Sequence, residues 1–201
     1  MGCGKSSVGR RLSELLCCPF IDLDAAIEEQ TGRSIPDIFA TDGEAAFRQM
    51  ELDALRSIIQ CSTVAGRVQK QSLPSSMGPS LCGQRGSTVS APSLLPHNHV
   101  VLSLGGGAVM TPECAELVKE NTQCIYLRTS IDTLVERLTD ESAGRPLLQG
   151  VELLTRIETL MSQRASIYEE TAHHIVDTDG FSVEELAEHI EKTMAMASIL
   201  N

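Results

Sequence analysis

Gly2-Cys3-Gly4-Lys5-Ser6-Ser7, followed at once by Val8, Leu12, Leu15 and Leu16 at helical spacing, decides the fold of this 201-residue chain. The stretch carries the closing residues of the pattern G-x-x-x-x-G-K-[ST]. In that pattern backbone N–H groups cradle phosphate, the Lys reaches the β- and γ-phosphates, and the hydroxyl holds Mg²⁺. A helix that starts at such a loop turns its free N–H groups and the positive end of its dipole toward the anion. The first Gly of the pattern, and the buried strand that leads into it, do not stand ahead of Gly2. The expectation is a nucleotide-dependent reaction on a phosphate loop whose leading strand is absent, and therefore a weakened enzyme.

Outward from the loop, strand and helix signals alternate. Pro19–Asp22 reads as a short strand, and a helix carrying Ala26, Ile27 and Gln30 stops at Gly32. Ser34 caps the turn Ile35–Ala40, and Phe47, Met50, Ala54, Leu55 and Ile58 line one face of a helix over about Glu44–Gln60. Val100–Leu104 and Gln123–Leu127 are apolar strands, with Thr111 and Pro112 opening the helix between them. Ser130 caps a helix to about Leu138, and the polar stretch Thr139–Gly150 reads as mobile. A long helix over Val151–Glu170, a strand at His174–Asp177 and a helix over Val183–Met196 complete the series. Such alternation predicts one α/β domain over residues 1–201, a three-layer parallel sheet with helices on both faces. About Arg67–Asn98 interrupts it, crowded with Ser, Pro and Gly and free of acids. Too little there can be buried to offset ordering entropy, which predicts a disordered insertion.

Composition bounds the partners. A net charge of −11 argues against nucleic acid and anionic membrane, which need basic surface, and no apolar run reaches the ~18–20 residues of a membrane helix. The seven cysteines form no C-x-x-C pair, which argues against zinc and for free thiols in a reducing, cytoplasmic setting. Cys17, Cys18 and Cys124 are expected to pack as small hydrophobes.

Four constellations carry chemistry. Asp22 and Asp24 stand at a strand end, where strand alternation points both carboxylates to one side. One suits a water-mediated Mg²⁺ contact and the other a base for an attacking hydroxyl, although a solvated acidic turn reads the same way. Arg48 and Arg164, on different helices, can grip one carboxylate by paired hydrogen bonds. Gly105-Gly106-Gly107 after a strand lets backbone approach a ligand, and Arg145-Pro146 has the character of a lid arginine.

Taken in order, these stretches resemble the shikimate kinase family. The matching residues are Gly2-Cys3-Gly4-Lys5-Ser6, Phe20-Ile21-Asp22-Leu23-Asp24, Thr31-Gly32-Arg33-Ser34-Ile35 with Ile38-Phe39, and Glu44 with Phe47-Arg48. Gly105-Gly106-Gly107-Ala108-Val109, Arg145-Pro146-Leu147-Leu148 and Arg164 with Tyr168 complete the set. The resemblance covers 2–50 and about 100–179. It implies a P-loop kinase fold of the nucleoside monophosphate kinase type, here with the first central strand absent. The implied reaction moves the ATP γ-phosphoryl to the 3-hydroxyl of shikimate, with ATP and Mg²⁺ as cofactors.

By the same resemblance Lys5 neutralises phosphate charge, Ser6 binds Mg²⁺, and Asp22 holds the ion through water. Asp24 orients the attacking hydroxyl and accepts its proton. Arg48, Arg164 and the Gly106 and Gly107 backbone hold shikimate. Arg145 closes onto the phosphates, Arg137 stacks on adenine, and Gly2, Cys3, Gly4 and Ser7 complete the nucleotide cradle. A monomer acting on a small molecule is expected. Two alternatives stand beside it: a P-loop kinase for another sugar acid, and a kinase-derived protein with weak or no activity.

Overall fold

Helix α1, Lys5–Leu15, starts at the phosphate loop and turns Val8 and Leu12 inward. The computed structural model describes residues 3–68, 99–141 and 151–199. Strand β1 (Phe20–Asp22) leads into α2 (Leu23–Thr31), α3 (Ile35–Thr41) and α4 (Gly43–Val68). Strand β2 (Val101–Ser103) is followed by a 3₁₀ turn (Ala108–Met110) and α5 (Pro112–Asn121). Then come β3 (Ile125–Arg128), α6 (Ile131–Glu141), α7 (Val151–Thr171), β4 (His174–Asp177) and α8 (Val183–Ile199).

Alternation along the strands builds the layers. Val101 of β2, Ile125 and Leu127 of β3 and Val176 of β4 pack with Val8 and Leu12 of α1 and with Leu186, Ala187 and Ile190 of α8. The intervening Leu102 faces the other way, onto Leu52 and Leu55 of α4 and Cys114 and Val118 of α5. Tyr126 meets Tyr168 of α7, ring centroids 5.2 Å apart. Helices therefore cover both faces, as the alternating pattern predicts.

The strands form two parallel pairs, β1 with β2 and β3 with β4, in keeping with the expected parallel sheet, and the two pairs are not hydrogen-bonded to each other. No described residue pairs with the second edge of β2 or of β3. Other expectations are corrected. The α4 helix runs on to Val68, so Arg67 and Val68 are helical, while the rest of the interrupting stretch, 69–98, lies outside the described residues. Thr139–Glu141 continue α6. Residues 142–150 of the polar stretch, Arg145 included, lie outside the description. Cys17 is exposed at φ 49° just beyond α1, whereas Cys18 and Cys124 are half-buried. Among the described residues no helix is long and apolar enough to cross a membrane.

Candidate active site

The phosphate loop meets the C-terminal ends of β1 and β2, where ligands gather in open parallel sheets. Gly4 takes φ 75°, a conformation other residues adopt at a cost, and is the N-cap of α1 with no side-chain cap bond. The first turn of α1 contains no acid, so its amide donors face outward without an internal anion. Ser6 Oγ donates to Asp22 Oδ2 at 2.9 Å and lies 3.5 Å from Ser103 Oγ. These hard oxygen donors suit Mg²⁺. Cys3 packs against the Leu134, Leu153 and Ile157 cluster of α6 and α7, and Ser7 is exposed. Gly2 lies outside the described residues.

Asp24 is reached differently from the sequence expectation. The strand ends at Asp22, whose Oδ1 accepts the Asp24 N–H at 3.2 Å and so caps α2. Asp24 therefore stands in the first turn of a helix rather than two residues along a strand, and strand alternation does not place it. The two carboxylates are nonetheless near enough to repel. Burial, and then the charge of Asp22, push the Asp24 carboxyl above its ordinary value, with Lys5 pulling it back. A half-buried carboxylate of raised basicity beside a lysine is what a general base requires.

The two arginines converge on the triple glycine. Arg164 Nη1 lies 3.4 Å from the Gly106 carbonyl, to which the Tyr168 hydroxyl also donates at 2.5 Å. A Cβ placed on Gly107 would stand 2.6, 2.7 and 2.9 Å from Nη1, Nη2 and Cζ of Arg48, so the guanidinium lies flat against that backbone. A Cβ on Gly105 would come within 2.7 Å of Asp24 Oδ1 and 3.2 Å of Glu51 Oε1. The glycines thus work by omission, giving three charged side chains room to meet.

Two substitutions separate their roles. Gly107→Ala is expected to dislodge the Arg48 guanidinium and raise KM for the acceptor, and Gly105→Ala to dislodge Asp24 and lower kcat. The obstructed atoms are side-chain ends, so the backbone can stay in place, but loosening the Arg48–Glu51 pair is expected to lower the Tm of Gly107→Ala. Steady-state kinetics with both substrates checks the split, and a shared effect on ATP KM alone would contradict it.

Sequence reasoning missed Glu51 and gave Tyr168 no task. Glu51 is 1 % exposed and accepts from Arg48 Nη1 at 2.6 Å. Burial pushes its carboxyl up, and the Arg48 guanidinium pulls it back. The available signal was an acid on the buried face of α4, next to Leu52 and one turn from Phe47 and Leu55. Against burial, hydrogen bonds from Thr133 and Ser130 hold the Asp179 carboxyl below its usual value, and the charge of Arg137 on α6 adds to them.

A family model described as shikimate kinase matches residues 1–70 and 90–195, leaving 71–89 inside the interrupting stretch unmatched. A shikimate kinase of Thermus thermophilus is 39% identical over 190 residues, covering 94% of this chain and 83% of the relative. That of Enterococcus faecalis is 33% identical over 94% of this chain and 91% of its own length. Among solved structures, the shikimate kinase from Acinetobacter baumannii in complex with shikimate superposes with a TM-score of 0.72. It is 28% identical, and the match spans 98% of this chain and 89% of the neighbour.

Proposed function

The chain belongs to the shikimate kinase family, and we propose that the residues gathered around Gly105–Gly107 carry out its reaction, transfer of the ATP γ-phosphoryl to the 3-hydroxyl of shikimate. The observation that carries this assignment is the convergence of Asp24, Arg48 and Arg164 on one glycine turn beside the phosphate loop. When bound, ATP with Mg²⁺ supplies the electrophilic γ-phosphoryl group. Ser6 and Asp22 would hold the ion, and Lys5 and the amides at the start of α1 bind the phosphate oxygens.

Arg48 and Arg164 bind the shikimate carboxylate, with the Gly106 and Gly107 backbone against the ring. This fixes the 3-hydroxyl next to Asp24, which orients it and receives its proton. Arg145, from the family pattern, meets the transferring charge, and Arg137 remains the adenine-side residue. Phosphoryl transfer depends on positioning and charge neutralisation, and these residues supply both. We place the enzyme in the cytoplasm, in keeping with the free thiols among its described residues, and take it as a monomer.

Replacement of Arg48 or Arg164 by Ala tests the assignment. Loss of a charge-assisted hydrogen bond of about 1.5–3 kcal/mol corresponds to roughly a 10- to 150-fold rise in shikimate KM, with ATP KM little changed. A panel of acceptors including gluconate, followed by ³¹P NMR, checks the substrate. Unchanged shikimate KM in both variants, or faster turnover of gluconate, would overturn the reading.

A further inference from the structure

Arg48 is held by two carboxylates of opposite standing. Glu51, whose side chain is 1 % exposed, takes Nη1 at 2.6 Å, and Glu44, 68 % exposed, takes Nη2 at 2.9 Å. The face of the guanidinium is closed by Gly107, against which Nη1, Nη2 and Cζ all lie. A carboxylate arriving at this arginine therefore meets one amino group committed to a buried acid and another occupied by an exposed one. The buried pair cannot be given up without leaving a charge stranded out of water. The exposed pair can be, because Glu44 turns into solvent at little loss.

We propose that Glu44 is a placeholder anion, which occupies Nη2 of Arg48 in the empty site and is displaced by the carboxylate of the acceptor. The idea rests on the reading of Arg48 as an acceptor ligand. It assigns Glu44 a separate part: setting how strongly an anionic acceptor is held and keeping the arginine oriented while it waits. Glu51 fixes the arginine, and Glu44 tunes its affinity. As an i,i+4 pair with the acid N-terminal, Glu44 and Arg48 also stabilise the helix slightly, and that role alone does not affect acceptor binding.

The test is calorimetric titration of shikimate into the whole chain, with steady-state kinetics alongside. The proteins are the parent, Glu44→Gln, Glu44→Ala, Arg48→Ala and the Glu44→Gln/Arg48→Ala double variant. Glu44→Gln is expected to tighten shikimate about 2- to 5-fold, equivalent to about 0.4–1 kcal/mol, within the range of an exposed ion pair. Glu44→Ala should do at least as much, and ATP KM should hold steady. On the Arg48→Ala background the same Glu44 change should do nothing. Weaker or unchanged shikimate binding in both Glu44 variants overturns the proposal, since Glu44 would then be a co-ligand or a bystander. Equal tightening with and without Arg48 also overturns it, by pointing to the general field of the site. If Arg48→Ala alone binds shikimate like the parent, the arginine reading falls and takes the placeholder with it.

Discussion

Asp24→Asn is expected to lower kcat by about 10²–10⁴-fold, the usual contribution of a positioned base, while ATP binding persists. The substitution keeps the shape that fits beside Gly105 and removes only the charge and basicity. The pH profile provides an independent reading. Burial and the Asp22 charge raise the Asp24 pKa, so activity in the parent should fall on acidification at a pH above the ordinary aspartate value. The variant should lose that limb. The sign for stability is opposite: a raised folded pKa contributes stability below the unfolded pKa, and this is lost as pH rises through the folded value. At neutral pH the ionised carboxylate is thus a burden on the fold, and Asp24→Asn should melt no lower than the parent. Turnover at the parent rate would remove Asp24 from the mechanism, and a clearly lower melting temperature would contradict burial as the cause of its shift.

The helices were largely legible in the sequence because their signals are local. Ser34 caps α3 through the Asp37 N–H, Pro112 opens α5, and Val8, Leu12, Phe47 and Leu55 fall on buried faces at helical spacing. Strand partners were not legible, since three- and four-residue strands carry almost no register information. Asp24 reads as a strand residue in the sequence but belongs to the first turn of α2. The cap made by Asp22 turns the chain into a helix two residues early, a competition that periodicity does not weigh. Arg48 and Arg164 are 116 positions apart in the chain, and only the ordered motifs suggested that they meet. Glu51 was missed because an acid amid apolar residues reads as the polar margin of a helix. Its burial becomes evident only once Arg48 lies against it.

Supplying a strand between the two pairs should produce the largest change in stability. Val101 and Leu102 of β2 and Ile125, Tyr126 and Leu127 of β3 are apolar yet only half-buried, although helices lie on both sides. Residues on strands covered by helices are ordinarily buried on both faces. Ser6 sits beside Ser103 at the end of β2, and Cys3 sits against the α6–α7 cluster that follows β3. A strand leading into Cys3 would therefore pass between β2 and β3 and pair with the second edge of each.

Prefixing the chain with an apolar strand and a G-x-x-G start is expected to bury two or three side chains worth about 1.5–3 kcal/mol each. A gain on the order of 5 kcal/mol is large against the ~5–15 kcal/mol of a whole domain. For a protein of this size it corresponds to about 10–20 °C in Tm. The same extension brings its own glycine amides to the phosphate loop, so ATP–Mg²⁺ should raise Tm further in the extended protein than in the parent. A control extension of equal length with charged residues at the inward positions should give neither effect. Identical melting curves for parent, extended and control proteins would show that the half-buried strands need no partner.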